Sequence, residues 1–166
     1  MLEPRIETLP AIRLLGVQAT YISGLSPDTN APETIGPLWG QLHERLGEIT
    51  PAEPGVFYGW TFFRPPEQRA RPDELEYVAG VEVAAEHTIP EGFAAVEAAG
   101  GLYAVFEHHG VMWTFHETVH RIYREWLPNS AYEGNGKGDL EHYDPRWVHD
   151  SEDSVYEFRV GSRPKG

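Results

Sequence analysis

No cysteine occurs in the 166 residues, so a disulfide framework and thiolate chemistry are both excluded. The N-terminus, from Met1 and Leu2 to Arg5, lacks a basic start followed by an apolar run, and no stretch approaches the roughly 20 apolar residues of a membrane-spanning helix. The expectation is a soluble, cytoplasmic protein that does not engage a membrane. Positive charge is also scarce: 13 Lys and Arg stand against 26 Asp and Glu, a formal net charge of −13. Phosphate contacts need a cationic surface, so direct nucleic-acid binding is not expected, whereas cations are attracted. An acidic surface also serves solubility. No motif calls for a cofactor.

A chain of this length fits one compact domain with a core of its own. Residues 5–22 carry Ile6, Leu9, Ile12, Leu14 and Val17 and predict a long first strand with a bulge near Pro10. Ile35, Leu38, Trp39, Leu42 and Leu46 recur at helical spacing, with Gly47 and Pro51 as stop signals, and predict a helix over 33–49. Strands follow at 55–64 and 74–83. The second half repeats that order: a strand around 101–107, a helix over about 112–126, a strand at 139–147 and a last strand at 154–160. Strand-helix-strand-strand appears twice, which predicts an α+β fold of two β-α-β-β repeats, the first at about 1–90 and the second at about 91–166. Two such units can join their sheets and leave a groove between them, where small ligands commonly sit.

Within 139–147, which follows an expected glycine-rich turn at 134–138, the period of a strand puts Glu141 and Tyr143 on one face. A carboxylate beside an aromatic ring can hold a flat organic cation, by charge and by the π-face. The same residues also fit a solvated strand edge. Trp39 and Trp126 lie on the apolar stripes of their helices and read as core. His116, Glu117 and His120 form a His-Glu-x-x-His pattern, in which two imidazoles one turn apart bind zinc and the glutamate acts as general base. Glu117 points away from the apolar stripe, however, and no third ligand stands at a recognisable spacing, so two histidines on a structural helix explain the pattern and no metal is expected.

The second half resembles the GyrI-like effector-binding family, the small-molecule-binding domain of AraC-type and MerR-type multidrug-responsive regulators, which also occurs free-standing. The marks are Tyr103-Ala104-Val105-Phe106-Glu107-His108-His109-Gly110, then Glu117-Thr118 leading to Ile122-Tyr123-Arg124-Glu125-Trp126-Leu127-Pro128-Asn129-Ser130, then Asp139-Leu140-Glu141-His142-Tyr143-Asp144. The first half, with Tyr77-Val78-Ala79-Gly80-Val81-Glu82-Val83, fits more loosely. The resemblance implies a pseudo-twofold pair of repeats, an antiparallel sheet with its helices on one side, and a cleft for lipophilic, often cationic, aromatic compounds. It places the central ligand-binding acid at Glu141 and aromatic walls at Tyr143 and Tyr156. Tyr21, Trp39, Tyr58 and Trp60 are candidates placed by element, and Trp113 and Phe106 complete the set. In the family the last strand often ends in an apolar residue and proline; here Val160 is followed by Gly161-Ser162-Arg163-Pro164, which leaves the register of Tyr156 open. No helix-turn-helix pattern accompanies the domain, so the chain is not expected to read DNA alone.

An ionised carboxylate in a partly apolar pocket is costly until a hydroxyl or an incoming cation compensates it. Ring contacts add affinity without demanding one ligand shape, hence breadth of specificity. The expected function is therefore drug or metabolite sensing or sequestration, with a protein partner possible and the oligomeric state open. The same resemblance also admits a hydrolase, with Glu141 as general base and Tyr156 donating to the developing oxyanion. An acidic protein-protein inhibitor of the gyrase-inhibitor kind and a zinc peptidase through His116, Glu117 and His120 are the further, less favoured alternatives.

Overall fold

The computed structural model describes residues 2–166; Met1, where the first repeat is expected to begin, lies outside the described residues. In chain order the elements are β1 (Arg5–Leu9), β2 (Ile12–Ile22), α1 (Ala31–Glu44), β3 (Phe57–Phe62), β4 (Glu74–Glu82), β5 (Ala94–Ala98), β6 (Gly101–His109), α2 (Phe115–Arg121), β7 (Tyr132–Tyr143) and β8 (Val155–Pro164). α2 runs on through a π-helical turn, Ile122–Trp126, into a last helical turn, Leu127–Asn129.

Alternation sets the layers. Along β2 and β4, Leu15, Val17, Tyr21, Leu75, Tyr77, Ala79 and Val81 face one side and close over Leu38 and Leu42 of α1. Leu14 and Val78 face the other side, with Tyr58, Trp60 and Leu140. In the second half Ala104, Phe106, Phe158 and Val160 pack under Ile122, Phe115, Val119 and Trp126 of the second helical segment. Glu141 pairs with Phe158 and with Gly59, so the two halves present their helix-bearing faces on the same side.

The eight strands form one antiparallel sheet in the order β1-β6-β8-β7-β3-β4-β2-β5. From the central β7–β3 pair outward, each half repeats the same sequence of strands, which is the pseudo-twofold α+β arrangement expected. The outermost strands are exchanged: β1 pairs with β6 of the second half, and β5 with β2 of the first. The exchange corrects the bulge expected near Pro10. The first strand is instead two strands, and Pro10 and Ala11 are the link on which the chain crosses from one half of the sheet to the other. The link between β5 and β6 crosses at the same point. A Cβ on Gly100 would stand 2.5 Å from the Ala11 nitrogen and 3.1 Å from the Pro10 carbonyl carbon, so only glycine fits there.

Three other expectations need correction. β5, Ala-Ala-Val-Glu-Ala, has weak strand propensity and was not expected as a strand of its own; cross-strand pairing with β2 stabilises it. The glycine-rich segment 134–138 is no turn but part of β7, and a register shift between Gly134 and Asp139 accommodates it opposite β8. There Gly138 has φ +143°, and a Cβ on it would meet the Trp60 ring at 2.6 Å. Finally, the strand expected over 139–147 stops at Tyr143. Pro145 lacks an N–H for the ladder, and Asp144 turns the chain by accepting the Trp147 N–H on its carbonyl (2.9 Å) and the Arg146 N–H on Oδ1 (2.9 Å).

Candidate functional site

The join between the two halves is where β3 and β7 pair, and Glu141 lies on it directly opposite Gly59. Because Gly59 has no side chain, Tyr77 can reach across it from β4 and donate its hydroxyl to Glu141 Oε1. The Trp39 indole N–H, from α1, donates in turn to the Tyr77 hydroxyl at 3.1 Å. Tyr143, two residues along β7, lies edge-on to Trp39 at 5.4 Å between ring centroids and stacks on Tyr156 at 4.9 Å. Tyr156 meets Phe115 at the start of α2 at 5.2 Å, and its hydroxyl points at the Met112 sulfur, a weak acceptor, at 3.2 Å. Tyr21 closes the other end, edge-on to Tyr77 at 6.1 Å. The carboxyl of Glu141 is thus the polar centre of a band of rings that runs from under α1 to under α2.

Glu141 is 8% exposed. Burial pushes its carboxyl from the ordinary 4.5 up to about 7, against the Tyr77 and Tyr143 hydroxyls, which favour the anion. The three tyrosine hydroxyls around it are raised in turn, by burial first and then by the neighbouring carboxylate. Two residues back on the same face, roughly 7 Å along the strand, Asp139 is a second, half-buried acid. It accepts from the Tyr123 hydroxyl and from the Gly161 N–H (3.0 Å), and burial raises it to about 6. Tyr123→Phe should leave this carboxyl with the Gly161 donor alone. We expect a loss of about 1–3 kcal/mol in denaturant melts and a further upward shift of Asp139 in a carboxyl-carbon NMR titration.

Of the residues singled out from the sequence, Tyr21, Trp39, Glu141, Tyr143 and Tyr156 are brought together. Trp39, read as core, packs on the core and also touches Tyr143 and Tyr77. Tyr58 and Trp60 are even-numbered neighbours of Gly59 on β3 and therefore face the opposite side of the sheet, where both are buried. Phe106 faces the helix side but is filled by Trp126 at 5.0 Å. Trp113 is 62% exposed, ahead of α2. Gly59, Tyr77, Asp139 and Tyr123 were not singled out. Asp139 was reachable from the sequence, because the period of two that relates Glu141 to Tyr143 also relates it to Asp139; Gly59 and Tyr77 depend on strand pairing. His116 Nδ1 lies 2.8 Å from the Trp113 carbonyl oxygen, and among the described residues no group of three His, Asp or Glu side chains is placed to hold a metal. A groove of about 720 Å³ lies away from all these, between Leu2, Pro4 and the outer side of the π-helical turn at Trp126.

A family model described as the GyrI-like small molecule binding domain matches residues 2–158. The transcriptional regulator BrlR of Pseudomonas aeruginosa is 32% identical over 145 residues, which make up 86% of this chain and 51% of the regulator. The chain therefore spans about half the length of the curated relative it matches. Among solved structures, the integron cassette protein VCH_CASS2 from the mobile metagenome of Vibrio cholerae has a TM-score of 0.70 at 14% identity, covering 97% of this chain and 96% of that one. SAV2435 bound to tetraphenylphosphonium has a TM-score of 0.71 at 17% identity, covering 98% and 94%. At these identities the likeness is one of fold. No helix among the described residues is long and apolar enough to cross a membrane.

Proposed function

Because the chain belongs to the GyrI-like small-molecule-binding family, we propose that it binds lipophilic, cationic aromatic compounds at the seam between its halves, with Glu141 as the charge partner. The observation that supports this most is a carboxyl held near neutrality among rings: Glu141, pushed up to about 7 and enclosed by Tyr77, Tyr143, Tyr156 and Trp39. Around neutral pH such a group ionises at a cost, and an organic cation removes that cost where water cannot. The ring faces supply apolar and cation–π contact that tolerates many ligand shapes. Tetraphenylphosphonium in the fold neighbour is a ligand of this class. In the cell the role would be sensing or sequestration in the cytoplasm, and the regulator relative favours sensing coupled to transcription through other protein segments or partners.

The test is a tryptophan-fluorescence titration at pH 8 with tetraphenylphosphonium, run beside triphenylphosphine oxide, a neutral compound of similar bulk. Trp39 and Trp147 both touch Tyr143 and report directly on the seam. We expect saturable quenching by the cation in the micromolar range, on the order of −8 kcal/mol, and at least tenfold weaker binding of the oxide. Equal binding of the two would remove the charge argument, and no saturation with either would remove the site. The same carboxyl, near neutrality beside tyrosine hydroxyls, also suits general-base hydrolysis. Turnover of an electrophilic ligand by the wild type would replace sequestration with that second reading.

A further inference from the structure

The helix-free face of the sheet holds a cavity of its own, about 210 Å³, to which every one of the eight strands contributes a residue. It sits at the crossing of the two links, with Pro10 and Ala99 in its wall. Ile12 and Leu140 give it apolar walls. Leu140 is the neighbour of Glu141 on β7, so the cavity and the seam lie back to back on opposite faces of one strand.

The volume limits what can enter. Drug-sized ligands occupy sites of roughly 300–1,000 Å³, and an apolar cavity of about 150 Å³ holds one benzene. About 210 Å³ takes one ring with a small substituent and excludes a cation as bulky as tetraphenylphosphonium. The polar groups limit it further. Tyr103 donates its hydroxyl to the Ala99 carbonyl at 2.5 Å and keeps acceptor capacity. Arg159 places Nε and Nη2 on Glu157 Oε2, at 2.9 and 2.7 Å, which leaves Nη1 uncommitted to that carboxylate, and Tyr58 stands with Arg159 in the same wall. Arg159 and Glu82 are the charged residues of the wall, and their charges cancel. A charged ligand would lose its hydration without a net counter-charge.

The geometry points to a second small-molecule site here, separate from the seam, for a neutral single-ring aromatic compound whose polar substituent can accept from Arg159 Nη1 and Tyr58. Its occupant is smaller and uncharged, unlike the bulky cations of the Glu141 face.

The experiment is an NMR titration of the full chain with benzamide, benzoate and benzylamine, followed on methyl signals and on indole N–H signals. Benzamide should shift the Ile12 and Leu140 methyls saturably, with Kd in about the millimolar range, and leave the Trp39 indole N–H unmoved. Benzoate and benzylamine should bind at least tenfold more weakly. Ala98→Leu, which fills the cavity from a residue 1% exposed, should abolish the shifts. If that variant does not fold, Tyr58→Phe removes one hydroxyl from the wall and should weaken benzamide several-fold. The proposal is overturned if benzamide does not saturate, if its shifts appear at Trp39 instead, if a charged probe binds as well, or if a folded variant binds benzamide unchanged.

Discussion

Glu141→Gln should weaken tetraphenylphosphonium about 100-fold at pH 8 and at the same time stabilise the folded protein. The affinity loss follows from Coulomb energy: a unit charge about 5 Å from the carboxylate, at an effective dielectric constant near 20, is worth about 3 kcal/mol. The stability gain follows from proton linkage. A carboxyl raised in the folded state from 4.5 to about 7 holds its proton more tightly folded than unfolded. Its contribution to stability is therefore fully present below about pH 4.5 and is lost as pH rises through about 7, by roughly 3 kcal/mol in all. Glutamine carries no such penalty and can still accept from Tyr77, so the variant should melt progressively higher than the wild type as pH rises from 5 to 8. Affinity for the cation should show the opposite trend in the wild type, improving about tenfold per pH unit up to about 7 and levelling above it, with no such trend in the variant. Thermal melts and titrations across that pH range check both. A variant that loses affinity and stability together would mean that Glu141 holds the fold rather than a ligand. A seam that keeps its affinity would remove Glu141 as charge partner.

Gly59→Ala should destabilise the fold and impair binding at the seam together. Its Cβ would meet Tyr77 Cζ at 2.8 Å and come closer still to the Tyr77 hydroxyl and Glu141 Oε1. Both side chains must withdraw, and the hydrogen bond between them is lost. Overpacking of this kind costs about 1–3 kcal/mol, and a buried carboxyl deprived of its donor costs a similar amount. The sum, about 4 kcal/mol, corresponds to a fall in Tm of roughly 12 °C for a domain of this size. Because Tyr77 is the neighbour that leaves least room, Gly59→Ala combined with Tyr77→Phe should recover part of the packing loss while binding stays impaired. A double-mutant cycle in melting temperature would show a coupling of about 1 kcal/mol or more. Additive effects would mean that Gly59 does not serve this contact.

The same two residues show how far the sequence could be followed. Glu141 and Tyr143 could be placed on one face from a period of two along a single strand, and Asp139 could have been placed there by the same rule. Tyr77 lies 64 positions before Glu141, and nothing local to either segment says that they touch. That contact requires the register Gly59↔Glu141 and Thr61↔Tyr77, which long-range pairing sets. Tyr58 and Trp60 show the complementary point: as aromatic residues they are placed by element beside Tyr21 and Trp39, but one step along a strand reverses the face.

Composition and periodicity were sufficient for a cysteine-free α+β chain of two strand-helix-strand-strand units, because burial patterns of period 2 and 3.6 are local properties that survive without knowledge of neighbours. Motif resemblance was sufficient for the small-molecule-binding family that the whole-chain match shows. The exchange of β1 and β5 between halves, the glycine-rich segment running inside β7, and the meeting of Glu141 with Tyr77 and Trp39 were settled in three dimensions. Each depends on which strands lie side by side, and strand order is decided by apolar burial and steric fit summed over the whole sheet, as at Gly59 and Gly100, rather than by any one segment's own preference.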